Sequence, residues 1–140
     1  SELNKDEFSY VVPDFRLNKK LNQFANLNAR QKEKVELLCN ECCDFGCSDR
    51  KKCYESVSKI NLGLDSAHMC CAPDLKEGYR FSLAKQNPAF ISVDAIKDVY
   101  LPLGFSNFKI EGRGLGSALL LEFILYYMTK PEYQLCERFS

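Results

Sequence analysis

Lys34-Val-Glu-Leu-Leu-Cys-Asn-Glu-Cys-Cys-Asp-Phe-Gly-Cys47, continuing through Arg50 to Cys53, is the stretch that decides how this chain is read. Lys34 to Leu38 alternates and then runs apolar, as a short buried strand does. Asp49 to Ile60 is charged, with Tyr54, Val57 and Ile60 on one side, and reads as a helix. Five of the eight cysteines fall between residues 39 and 53. The thiols therefore sit on the loop that leaves a strand and enters a helix, the edge at which α/β folds bind ligands. Cys70 and Cys71 follow a short gap later, beside the only histidine, His68, and extend the cysteine-rich loop to residues 39–73.

Outward from this unit the pattern repeats. Phe8 to Asp14 reads as a strand closed by Pro13, and Asn18 to Ala29 as a helix with Leu17, Leu21, Phe24 and Leu27 on one face. Ala89 to Ser92 is a third strand, followed by a helix over 95–100 that Ser92 or Asp94 caps and that stops near Pro102 and Gly104. Phe105 to Ile110 is a fourth strand, and Ser117 to Thr129 a last, strongly apolar helix. The apolar girth of that helix predicts burial on more than one side, or an interface. Residues 61–88 carry loop signals: a stop at Asn61-Leu-Gly63, then Cys70-Cys-Ala-Pro73 and Asn87-Pro88. Strand–helix four times over predicts a parallel sheet with right-handed crossovers. Since a closed barrel takes roughly 250 residues, four such βα units are half of a TIM-barrel-like fold or a small open α/β sandwich.

The 140 residues suffice for one domain, spanning 1–140, with an ordinary core. Nineteen basic residues balance nineteen acidic ones, which gives no pointer to nucleic acid or an anionic membrane. The longest apolar run, Ala118 to Met128, contains Glu122 and is too short to span a bilayer. No signal-peptide pattern opens the chain. Ser1 stands where an initiator Met is expected and reads as a cleavage or cloning boundary, so an N-terminal half-barrel is expected to be missing. Strong strand and helix patterns, with no Asn-x-Ser/Thr sequon, argue against a secreted disulfide scaffold and for a cytoplasmic protein. Eight cysteines leave metal, disulfides and reduced thiols all open, with metal narrowly ahead.

The residues named so far have a family resemblance. Val12-Pro-Asp14 with Asn18, Glu36-Leu-Leu-Cys-Asn-Glu41 with Cys43, Cys47 and Arg50, Phe90-Ile-Ser92, and Tyr100 to Arg113 with its Phe108-Lys-Ile-Glu-Gly-Arg113 ending occur in that order. This resembles the C-terminal half of the barrel in the collagenase-like peptidases (peptidase family U-32) and their uncharacterised relatives. The resemblance implies a barrel-type α/β fold and a hydrolase-related family. In some members, which assist oxygen-independent hydroxylation in quinone synthesis or RNA modification, four cysteines hold an iron–sulfur cluster. Carried over by position, Cys43, Cys47, Glu111 and Arg113 match. The chain differs from the family in its extra cysteines, Cys39, Cys42, Cys53 and Cys136, and in lacking the first half of a barrel.

Tetrahedral zinc takes four Cys/His ligands, and Cys43, Cys47, His68 and Cys70 or Cys71 supply that number. An iron–sulfur cluster takes four thiolates, which Cys43, Cys47, Cys53 and Cys70 or Cys71 supply. Against these stand plain alternatives: Cys39 and Cys136 as small buried hydrophobes, and His68 as a surface loop histidine. Glu111 and Arg113 close the fourth strand as candidate catalytic residues facing substrate, Arg113 able to fork onto a carboxylate or phosphate, or else they form a structural pair. Asp14, Glu41 and Glu111 share the same edge and are candidates for acid–base work. No P-loop, dinucleotide fingerprint, nucleophile elbow or His-Glu-x-x-His occurs. The first expectation is a metal- or iron–sulfur-binding domain of a larger enzyme, with activity of its own left open. The other is a non-enzymatic disulfide- or thiol-containing interaction domain that self-associates as a homodimer or docks on the missing half.

Overall fold

The computed structural model describes residues 2–70, 78–112, 115–130 and 132. Cys71, Arg113 and Cys136, three of the residues singled out above, lie outside them. The architecture is mixed α/β. The elements are α1 (Ala29–Lys34), β1 (Glu36–Leu38), α2 (Arg50–Asn61), α3 (Phe81–Gln86), α4 (Val93–Ala95, running on as a π-helical turn over Ile96–Tyr100), β2 (Asn107–Lys109) and α5 (Ser117–Met128). β1 and β2 pair in parallel with Leu37 opposite Phe108.

Of the four expected strands, these two form a ladder among the described residues. The first expected strand contributes one parallel bridge, Val11 to Val35. The third contributes one bond, from the Ile91 amide to the Cys39 carbonyl at 3.0 Å. Both segments lie beside β1, but each turns away after a residue or two. Pro13, with no amide donor, ends the first, and the helix cap at Ser92 ends the other, its side chain accepting from the Ala95 amide.

Residues 18–29 are not the expected single helix. A tight 3-10 turn over Phe15–Leu17 precedes them and another spans Leu21–Phe24, before α1 begins with a capping box between Asn28 and Gln31. Asn18 is the physical reason. It is wholly buried, and its side-chain amide donates to the carbonyls of Leu38 (2.7 Å) and Ala89 (2.9 Å). Its own carbonyl accepts from the Tyr100 hydroxyl. Asn18 thus ties β1, the 89–91 segment and the π-turn together, and a regular helix would carry it out of that position. Leu17, Leu21 and Leu27 still reach the core, by a different backbone route.

β1 is buried on both faces, as its apolar run suggests. The main core gathers Phe24, Val35, Leu37, Cys39, Ile91, Tyr100 and Phe105 around it. A second, smaller cluster joins Ala84 of α3, Phe90 and Phe123 of α5. α3 lies in the stretch read from sequence as loop. α2 and α5 form where expected. Yet among the described residues of α5 only Phe123 is fully buried, while Leu121, Ile124, Leu125 and Met128 are exposed. No helix among the described residues is long and apolar enough to cross a membrane.

Candidate functional site

Beyond Leu38 the ladder continues by side chain. The Cys39 amide still donates to the Lys109 carbonyl (2.9 Å). One residue on, Asn40 replaces the backbone: its Oδ1 accepts from the Glu111 amide (2.6 Å) and its Nδ2 donates to the Glu111 carbonyl (3.2 Å). This frees the main chain to leave the sheet while Asn40 stays buried. The loop is then clamped from the far side. The Tyr79 hydroxyl reaches the carbonyls of Asn40 (3.2 Å) and Glu41 (3.1 Å), and the Asn87 side-chain amide donates to the Cys43 carbonyl (3.0 Å). Residues 40–43, the start of the thiol loop, are therefore held against the sheet edge.

Glu41 is the centre of this edge. It is 4% exposed, with one carboxylate oxygen accepting from the Cys43 amide (3.0 Å) and the other from Arg50 Nη2 (2.8 Å). The Arg50 guanidinium lies 4.3 Å from the centre of the Phe15 ring and 5.2 Å from that of Tyr54, with Nη2 also donating to the Tyr54 hydroxyl. Such a guanidinium, set over aromatic rings and bound to a carboxylate, locks the first turn of α2 to the end of β1. Sequence reading placed Arg50 only within a motif. Phe15, Tyr79 and Asn87 gave no local signal, since each acts on residues far along the chain, while Tyr54, read only as one face of α2, meets Arg50 one helical turn away.

The thiols divide by environment. Cys39 is 1% exposed, and burial pushes its thiol up to about 12. It is the small buried hydrophobe expected. Cys43 is half-buried; burial first, then the Glu41 charge and the neighbouring thiols Cys47 and Cys53, push it up to about 11 against the opposing pull of Arg50. The Sγ of Cys53 lies 2.9 Å from Nε2 of His68, a pairing across fifteen residues that sequence could not give. Cys42 and Cys70 are exposed. Among the described residues, Cys43, Cys47 and Cys53 are thus brought together electrostatically, with His68 against the last of them. No group of three or more Cys, His, Asp or Glu side chains among the described residues stands at metal-holding distance.

Two of the acid–base trio, Asp14 and Glu41, are bound to arginines. Asp14 is held by Arg16 through two side-chain bonds (2.9 and 2.7 Å) and the Arg16 amide, and this lowers its carboxyl to about 2. It stays ionised at neutral pH and has no proton to give. Glu41 is committed to Arg50. Glu111 is brought to the same edge by Asn40, where its charge joins burial, Cys42 and Glu41 in raising the Tyr79 hydroxyl.

Alkaline pH tests this distribution. Cys39, Tyr79, Tyr100 and Tyr127 all have pKa values raised chiefly by burial. The folded state therefore favours their protonated forms. Stability is intact below the ordinary thiol range near 8.5 and falls as the unfolded chain ionises first. Urea unfolding from pH 8 to 11.5 is expected to show a loss of a few kcal/mol, and iodoacetamide at pH 8 should spare Cys39 until the chain unfolds. Fast native-state alkylation of Cys39 would contradict its burial. Compared with protein-family models, curated proteins and solved structures, the chain shows no match.

Proposed function

We propose that the C-terminal edge of β1 is a thiolate metal site, for zinc or an iron–sulfur cluster, in an α/β domain related to the collagenase-like peptidases. One observation carries the reading: Sγ of Cys53 and Nε2 of His68, both metal-binding atoms, lie 2.9 Å apart beside the loop that carries Cys43 and Cys47. Thiolate and imidazole are the ligands that a thiophilic cation prefers. The donor set suits such an ion. Cys43, Cys47 and Cys53 give three sulfurs, and the fourth donor is His68 (2.9 Å from Cys53), Cys70, or Cys71 outside the described residues. Since no three described donors stand at holding distance, Cys43 and Cys47 would have to move toward Cys53 and His68 to hold an ion, which would supply a structural cross-link there. Loading releases protons and strengthens as pH rises, because the ligands must be thiolates. Glu111 is held at the same edge by Asn40, and with Arg113, which lies outside the described residues, it is the substrate-facing pair of this reading. The half-barrel belongs to this reading too, supported by the 10–12 and 89–91 segments lying beside β1, as does a reducing, cytoplasmic setting.

Metal analysis on protein purified without oxygen is the test. About four iron per chain with absorption near 400 nm marks a cluster, and one zinc without colour a structural ion. Cys43→Ser and Cys47→Ser are each expected to abolish stoichiometric loading. If zinc and iron–sulfide reconstitution both leave the wild-type chain empty, the reading fails. The second reading, a self-associating interaction domain, is favoured by one specific feature: Leu121, Ile124, Leu125 and Met128 form an exposed stripe at helical spacing on α5.

A further inference from the structure

A groove of about 680 Å³ runs along the first three turns of α2, opposite the turn that carries Arg16. The thiol reading does not use it. Small-molecule sites occupy roughly this volume. Its walls present Arg16, Arg50, Lys51 and Lys59 against a single acid, Glu55. Two of these cations are braced: Arg16 by Asp14 and Arg50 by Glu41, which is buried behind the wall. Bracing fixes the guanidinium planes in position without filling every donor. Lys51 stands 3.9 Å from Glu55 and is 90% exposed, a loose pair that an incoming anion can displace. The Tyr54 ring, 58% exposed, gives the groove a flat apolar surface, and Ser48 and Ser58 add hydroxyl groups. Cys47 also lines it, so the groove includes a residue of the thiol loop.

We infer that this groove binds a small organic oxyanion, a phosphate or carboxylate carried on a flat apolar body that lies against Tyr54. Charge and shape select together. An oxyanion alone meets the cations, and an apolar body alone meets one ring among charges; a molecule with both satisfies both walls. The alternative is a solvated basic helix face that attracts any anion in proportion to its charge. That face would show no preference for an aromatic body and no saturation at low concentration.

The two are separated by titrating the metal-free 140-residue chain, followed by heteronuclear NMR, with phenyl phosphate, benzoate and inorganic phosphate. Phenyl phosphate or benzoate is expected to saturate shifts at Arg16, Lys51, Tyr54 and Lys59, the tighter of the two naming the preferred oxyanion. Inorganic phosphate should bind roughly tenfold more weakly than phenyl phosphate, the loss of a stacked ring. The double variant Lys51→Glu, Lys59→Glu changes two exposed residues and should weaken binding by about tenfold or more. Cys43→Ser should leave it unchanged, so failure of the metal site and failure of the groove are read separately. Absence of saturation, unaltered affinity in the charge-reversed variant, or equal affinity for phosphate and phenyl phosphate overturns the inference.

Discussion

Replacing Glu41 with alanine is expected to lower stability by about 3 kcal/mol and to make the Cys43 thiol more reactive at the same time. Glu41 is 4% exposed and its partner Arg50 is 21% exposed, so the substitution leaves a largely buried guanidinium without its anion. Breaking a buried pair from one side costs roughly 3–5 kcal/mol, and the residual exposure of Arg50 favours the lower end. The Cys43 amide loses its acceptor in the same change. The reactivity shift follows from charge. Glu41 is one of the causes that raise the Cys43 pKa, and Arg50 opposes it. Removing the carboxylate and leaving the cation both lower that pKa, which increases the thiolate fraction at neutral pH. Urea unfolding and timed alkylation measure the two effects. A loss under about 1 kcal/mol would mean that the pair behaves as a screened surface bridge. Glu41→Gln keeps an acceptor for Cys43 and should raise reactivity with a smaller loss of stability.

Phe123→Ala is expected to cost about 3–5 kcal/mol, the range for removing a fully buried phenyl ring. Its ring packs with Phe81 of α3 at 5.2 Å and stacks with Tyr79 at 6.4 Å between centres. It is the one fully buried residue among those described in α5, so the helix has no second anchor of that kind. The effect reaches the thiol edge through Tyr79, whose hydroxyl holds the carbonyls of Asn40 and Glu41. If the proposed thiol site takes up metal, loading in Phe123→Ala should therefore weaken although no ligand is changed. Phe123→Leu, which refills much of the cavity, should recover most of the stability. A Phe123→Ala chain that is destabilised yet loads metal as the wild type does would separate the second cluster from the site.

Much of the local structure was legible from residue pattern. β1 and α2 follow from an apolar run and a charged amphipathic stretch, and α5 from twelve nearly uncharged residues. The placement of Cys43, Cys47 and Cys53 on one strand-to-helix loop follows from those two elements alone. The burial of Cys39 follows from its position at the end of the apolar run. These are statements about neighbours in sequence, where periodicity carries the information.

What only the tertiary structure decided involves partners far apart in the chain. Asn18 overrode a helical pattern because two carbonyls 20 and 71 residues away needed a donor. An unmet buried carbonyl costs more than the propensity of a few leucines and a phenylalanine gains. The expected strands at 8–14 and 89–92 shrank to single contacts beside β1, because an extended segment becomes a strand only when a neighbour takes its hydrogen bonds. Asp14 lost its candidacy as an acid to Arg16, two residues away, by a bond whose geometry no spacing rule specifies. Cys53 met His68, and Arg50 met Glu41 between two aromatic rings, through the course of loops whose direction is set by packing. Residue types and spacing determined which groups could do chemistry at this edge. The fold decided which of them meet, since distance in space is a property of the whole packed chain.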